Sequence, residues 1–372
     1  MIIEIKPLDT LFFRDGKPFT MGEDTWANGV FPPYPATIYG ALRSAYFAKH
    51  IDELEKANES NDPTKNLKIK GILLKISDEI YFPIPMDCVK RKDDKDDEGF
   101  VLLPLPAGKF ISNYPDLEKV LTRSDDSSDK VENIQNSALS KSSFREYLDG
   151  KTNNIYYFKI DNYMVSEPKI GIARSSKMHS SKEGMLYRVD MKRLENKKGE
   201  KMSIIINFEG LGLPEKGMMK LGGEGKAVSY HKYKGDINID FPKFKEDAKQ
   251  FKMVLATSAI FKNGWLPAWV DKQTLIGEYN GLKLKLLTAA IGKPIHIGGF
   301  EIKPRKPKSM YKKAGKPKPM YKAAPAGSVY YFELIGGNMD EVKKTFHQKA
   351  ISDVYPDQGF GIAYVGDVGK NA

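Results

Sequence analysis

Apolar residues in this chain recur mainly at period two, in short runs closed by Gly, Pro, Asn or Asp, and only two stretches place them at helical spacing. Alternation of that kind describes strands with one buried face, and helices so few and so far apart cannot cover both faces of a parallel sheet. The pattern predicts an α+β architecture with helices packed on antiparallel sheets. It excludes a doubly wound fold, which needs regular alternation of strand and helix. Strands are expected at 69–76, 80–84, 155–160, 203–208, 252–260, 282–288 and 328–334. At the start, Ile3 and Ile5 alternate with polar neighbours and Leu8 to Phe13 run on to Asp15-Gly16, which reads as an N-terminal hairpin. One helix opens at Pro35 or Thr37 and carries Ile38, Leu42, Ala45 and Tyr46; another covers 339–349 with Val342, Phe346 and Ala350. The acidic cluster at 93–98 and the Ser/Asp-rich stretch at 123–143 read as mobile surface insertions rather than packed elements.

A length of 372 residues favours two domains, expected at 1–200, with insertions near 90–145, and at 201–372. A hydrophobic fraction of 41% is enough for a sizeable core. One cysteine, Cys88, excludes an internal disulfide and a cysteine-rich zinc site. No apolar run approaches the roughly 18 residues of a membrane span. The opening MIIEIKPL lacks a basic leader and a cleavage site, so a cytoplasmic protein without a membrane partner is expected.

The net charge of +11 is local: residues 303–322 hold nine Lys or Arg and no acid, leaving +2 for the rest. Such a strip suits a polyanion partner. Within it KPKSMYKKA from Lys306 recurs as KPKPMYKAA from Lys316, placing Tyr311 and Tyr321 at matching positions. Lysines that hold phosphates and aromatics that stack on bases are the ingredients of single-strand binding, here Arg305, Lys306, Lys308, Lys316, Lys318, Tyr321 and Lys322. A solvated linker, a loop or a hairpin is the plainer reading of the same residues. Three glycine-rich segments, LGGEGKAV from Leu221, IHIGGFEIK from Ile295 and GFGIAYVG from Gly359, could bring backbone amides close to phosphate or serve as simple turns.

Familiar catalytic signatures fail at named positions. Gly225-Lys226 is not a phosphate-binding P-loop, because Lys220 and Ala227 occupy the places of Gly and Ser/Thr. The dinucleotide pattern fails at Tyr364 and at Val228, and a calcium loop from Asp94 fails at Glu98 and Leu105. His50, His179, His231, His296 and His347 are not paired at metal-ligand spacing, so no metal and no cofactor are expected. Only His179 stands among basic and hydroxyl residues, as a solvated loop histidine, an RNA contact or a base.

The segments PLDTLFFRDGKPF, PPYPATIYGALRSA, KIGIARSSKMHSSKEGMLYRVD, LGGEGKAV, PKPMYKAAPAGSVYYFEL and GFGIAYVG occur in this order along the whole chain. Together they resemble the RAMP superfamily of CRISPR proteins, and within it the third subunit of type III-B Cmr effector complexes, itself similar to the fourth subunit of the Csm complex. The resemblance implies two ferredoxin-like, RRM-type modules with antiparallel sheets and glycine-rich loops. It also implies a subunit that is not the target-cleaving one, grips the 5′ repeat handle of the CRISPR RNA, docks the large polymerase/cyclase-like subunit and touches a backbone RAMP subunit. Carried over by position, Arg43 faces the RNA groove, or makes a surface ion pair. Gly171 and Arg174 begin a thumb-like loop with which Lys177, His179 and Arg188 travel. Gly222, Gly223, Gly225 and Lys226 match a glycine-basic segment, with Lys where Arg is more usual, and Gly359 and Gly361 match the terminal loop or pack a helix on a sheet. The leading expectation is a non-catalytic RNA-binding subunit. A metal-independent endoribonuclease using His179 with Lys177 or Tyr187, and a protein-only scaffold, are the alternatives.

Overall fold

The structure, a computed structural model, describes residues 1–16, 26–92, 96–106, 117–123, 129–175, 178, 180–301 and 316–369. Two antiparallel sheets dominate it. In the first, of eight strands, the order is Phe158–Lys159, Ser137–Ser140, Glu79–Pro83, Lys68–Ile76, Met202–Glu209, Ile2–Pro7, Ala227–Lys232 and Lys216–Lys220. The second, of six, runs Ile276–Tyr279, Leu282–Ala290, Val329–Gly336, Gln250–Leu255, Ile362–Gly366 and Lys349–Ala350.

Both sheets are built on one scheme. Helix α1 (Pro35–Phe47) carries the chain from Ile2–Pro7 to Lys68–Ile76, and Met202–Glu209 then pairs between those two strands, antiparallel to each. Ala227–Lys232 closes the other side of Ile2–Pro7. In the second sheet Val329–Gly336 lies between Leu282–Ala290 and Gln250–Leu255, and Ile362–Gly366 closes the far side of Gln250–Leu255. In the first sheet a strand and a glycine-rich turn join Met202–Glu209 to Ala227–Lys232; in the second an irregular stretch follows Leu255, and a helix lies between Val329–Gly336 and Ile362–Gly366.

Burial explains the runs. Val329 and Tyr331 join the core shared with the first sheet, whereas Tyr330 and Phe332 join a second core covered by α3 (Met339–Phe346) through Val342 and Phe346. A strand buried on both faces is apolar without interruption, as Val329 to Phe332 are. Helix α2 (Lys141–Leu148) wedges between the sheets: Phe144 stacks on Phe82 at 4.4 Å and meets Tyr364 edge-on at 5.5 Å. Beside it the Asp87 carboxylate, fully buried, accepts hydrogen bonds from Tyr147 of α2 at 2.7 Å and Tyr331 of the second sheet at 2.6 Å. The buried Lys252 ammonium lies 3.6 Å over the Tyr147 ring. Burial pushes the Asp87 carboxyl up and the Lys252 ammonium down, each opposed by the other's charge.

Four expectations are corrected. Ile2–Pro7 does not pair with the chain that follows the turn at Asp15-Gly16, because both its sides are taken by long-range strands; Leu11 bridges Lys192 of a distant hairpin and Arg14 bridges Gly29. The stretch to residue 143 is no insertion throughout. Ser137–Ser140 enters the first sheet, Ser140 caps α2 through the Ser143 amide, and Phe144, Tyr147 and Leu148 are buried on one face. Residues 93–95 and 124–128 lie outside the described residues. The strand expected at 252–260 stops at Leu255, beyond which Ala256 and Thr257 bind the Ile362 and Gly359 carbonyls instead. Helix α3 ends at Phe346 because Gln348 takes a positive φ and Lys349–Ala350 pairs with Ile362–Gly366. Met202–Glu209, Lys216–Lys220 and Ala227–Lys232, which follow residue 200, all belong to the first sheet.

Substitutions at the joint between the sheets test its role. Asp87→Ala should lower unfolding stability by about 3–5 kcal/mol in urea titrations, and the Asp87→Ala/Lys252→Met double variant should lose less than the two single losses combined. His347 is buried, its Nε2 bound to the Ile239 carbonyl at 2.8 Å and its Nδ1 accepting from the Val365 amide at 3.2 Å. Burial holds its pKa below the usual value of 6.5. The unfolded chain therefore takes up the proton first, and this contribution is full above pH 6.5 and is lost as pH falls below it. His347→Gln should flatten the fall in urea midpoint between pH 7 and pH 5.

A candidate nucleic-acid interface

Between the edge strand Lys216–Lys220 and Ala227–Lys232 the chain turns through Leu221 to Lys226, closed by a hydrogen bond from the Leu221 amide to the Lys226 carbonyl at 3.0 Å. Here φ is +79° at Gly222, +57° at Glu224 and +65° at Gly225. At Gly222 glycine is doubly required, because a Cβ would also come within 2.4 Å of the Phe12 carbonyl oxygen. That carbonyl accepts from the Gly223 amide at 2.8 Å. The amides of Gly222, Glu224 and Gly225 donate to no acceptor among the described residues. Backbone amides without an internal acceptor in a glycine-rich turn are available to an anion.

Next to this loop opens a cleft of about 380 Å³. Phe12 and Phe13 line it, Thr37, Gly40 and Ser44 supply one stripe of α1 as its wall, and Arg14 and Lys220 add positive charge. Nothing lies within 4 Å of where a Gly40 Cβ would stand, so the helix face stays low at this point. Sequence reading missed Phe12, Arg14, Thr37, Gly40, Ser44 and Lys220 as site residues. The signal available was that FFRDG and YGALRS lie within the resemblance segments; only long-range pairing brings them to the glycine loop.

Ion pairs fix the surroundings. Lys226 Nζ holds Asp9 Oδ2 at 2.7 Å, and Arg193 reaches Asp9 Oδ1 at 3.1 Å and both oxygens of Glu167. The Lys226 hydrogen bond pulls the Asp9 carboxyl down to about 2. Lys226 thus ties the glycine loop to the N-terminal segment. Lys169 pairs with Glu224 at 3.0 Å and brings in the long hairpin of Val165–Arg174 and Ser181–Arg193.

On that hairpin Gly171 faces Tyr187, whose ring would lie 2.2 Å from an added Cβ. Arg174 pairs in register with Ser181 near the tip, and the Arg188 guanidinium lies 3.9 Å over the Trp26 ring. Lys177 and His179 lie outside the described residues. So do Tyr311, Arg305, Lys306 and Lys308 of the basic strip, whereas Lys316 lies in a short strand paired with Phe300–Glu301. Lys318 is exposed, its amide bound to the Gly299 carbonyl at 2.8 Å. Tyr321 and Lys322 lie in Tyr321–Ala323, paired with Ile295–Ile297, and the Tyr321 ring packs edge-on against Tyr355 at 6.0 Å.

Arg43 and the terminal glycines are placed by packing. The Arg43 guanidinium bonds Thr64 at 2.7 Å, Asn58 at 3.0 Å and Asp62 at 2.6 Å, the ion-pair alternative for this residue. A Cβ on Gly359 would meet Ile69 at 2.8 Å, and one on Gly361 the Ser352 amide at 2.6 Å; both take positive φ. Neither group borders the cleft. Among the described residues no three His, Cys, Asp or Glu side chains gather at metal-binding distance, and no helix is long and apolar enough to cross a membrane.

A family model described as CRISPR-associated protein (Cas_Cmr3) matches residues 3–368. No curated protein matches. Among solved structures, the chain resembles one from the cryo-EM structure of the type III-B Cmr-beta bound to cognate target RNA and AMPPnP. The TM-score is 0.51 at 16% identity, over 89% of this chain and 86% of that one. A chain of Cmr-beta bound to cognate target RNA gives 0.49 at 16%, over 89% and 86%. One from the Csm3-Csm4 subcomplex of the type III-A interference complex gives 0.38 at 14%, over 92% and 95%. The first supports likeness of fold.

Gly225→Ala, with open space around it, should cost about 1–2 kcal/mol of unfolding stability for its left-handed backbone alone. Gly222→Ala should cost more, because the Phe12 carbonyl must also move; urea unfolding of the two variants checks the order.

Proposed function

The chain belongs to the Cas_Cmr3 family of CRISPR-associated proteins, and from that premise we propose that it is the third subunit of a type III-B Cmr effector complex, holding the 5′ repeat handle of the CRISPR RNA without cutting it. The observation that carries this reading is the meeting of the amide-lined glycine loop with a cleft that has Arg14 and Lys220 at its sides. Amides aimed at an anion position a phosphate, cations neutralise the neighbouring ones, and the hydroxyls of Thr37 and Ser44 offer further donors to backbone or 2′-OH. The two sheets are each read as a ferredoxin-like module in which one crossover helix has been replaced. The basic strip extends the RNA path, and the subunit docks the large polymerase/cyclase-like subunit and a backbone RAMP subunit in the cytoplasm.

The test is binding of labelled handle RNA and of a scrambled RNA of equal length to the full chain across a salt series, with cleavage followed in the same samples. Handle preference without cleavage is expected. Metal-independent cleavage would contradict the non-catalytic reading, and no binding to either RNA would favour a protein-only scaffold. Lys220→Ala and Arg14→Ala should each weaken both RNAs alike and reduce the salt slope by about 0.7 for each phosphate no longer neutralised.

A further inference from the structure

The short strand Trp26–Ala27 pairs in parallel with the long hairpin, Trp26 beside Arg188 and Ala27 beside Val189, while Arg188 in turn faces Ile170. Alternation divides the residues by face. Ala27 and Val189 are buried in a small core with Phe12 and Met191. Trp26 and Ile170 stand outward, 51% and 65% exposed, and the next outward pair, Ile172 and Leu186, is exposed as well. One register row therefore displays Ile170, Arg188 and Trp26 side by side. The Arg188 guanidinium is stacked on the indole at 3.9 Å, and its Nε is buried without a hydrogen-bond partner among the described residues. The indole stays half-exposed although a cation covers it. Phe12 ties this small core to the cleft, since its ring packs there while its carbonyl holds the glycine loop.

We infer that Trp26, braced by Arg188, is a stacking platform for one unpaired nucleobase of the RNA that runs through the adjacent cleft. This rests on the RNA-holding reading above. A planar ring fixed from beneath by a guanidinium loses little freedom on stacking and adds cation–π attraction, which suits a base of any sequence. A protein partner would be better served by a continuous apolar face than by a row interrupted by a charge.

The experiment titrates the full chain and its Trp26→Ala and Trp26→Phe variants with single-stranded handle RNA and with versions carrying one abasic site at each position in turn. The expected result is a loss of about 5- to 150-fold in affinity for Trp26→Ala and a loss of a few-fold at most for Trp26→Phe. The penalty should vanish at one abasic position, where the base that would stack is already gone. The difference in RNA-induced fluorescence quenching between wild type and Trp26→Phe isolates this indole from Trp265 and Trp269, and quenching is expected. Unchanged RNA affinity in Trp26→Ala, with no quenching assigned to Trp26, overturns the platform and leaves the RNA-holding reading intact. Unchanged RNA affinity with loss of a protein subunit overturns it in favour of a protein dock. Failure of the wild type to bind RNA overturns the RNA-holding reading, and the platform with it.

Discussion

The Asp87 carboxylate receives one hydroxyl from α2 and one from the second sheet while its own backbone follows a strand of the first. Three parts of the chain that are far apart in sequence meet at this one side chain, with the Lys252 ammonium packed over the same tyrosine. A buried polar cluster of this kind stabilises less than apolar packing of equal volume, but it admits fewer alternative arrangements. The Phe82, Phe144 and Tyr364 rings supply the apolar part of the joint. The mutual position of the two sheets, and so the approach of the Ile295–Ile297 hairpin to the N-terminal turn at Gly16, depends on it.

Period-two alternation made the strands legible. Those at the centres of both sheets were placed within two residues at most ends, because a buried strand announces itself by its own side chains. What sequence could not show was which strands pair. Ile2–Pro7 has partners at Ala227–Lys232 and Met202–Glu209, both more than 190 residues away in sequence, and nothing local in Leu8 to Phe13 distinguishes a hairpin arm from a segment bridged to Lys192. Serine-rich composition hid α2, whose three buried residues are spaced along only eight positions.

The candidate site was legible in part. Positive φ at Gly222 and Gly225 is what a glycine-rich loop leads one to expect, and the loop borders the cleft. Lys226 and Arg43 look like phosphate ligands in sequence, yet each is matched by a carboxylate supplied by another segment, Asp9 and Asp62. Gly359 and Gly361 are glycines because both take positive φ and an added Cβ would meet the Ile69 side chain and the Ser352 amide. Conversely, the cations and hydroxyls that line the cleft lie in segments whose composition is ordinary. Their chemistry comes from the crossing of α1 over the sheet edge beside Lys220.

Photo-crosslinking of the full chain to thiouridine-substituted handle RNA, followed by mapping of the linked peptides, tests the central claim most directly. Links are expected within residues 8–16, 26–29, 186–190 and 216–226, which surround the cleft and the exposed hairpin face. Links confined to the second sheet, for example to Ile276–Tyr279 and Leu282–Ala290, with none around the glycine loop, would contradict it.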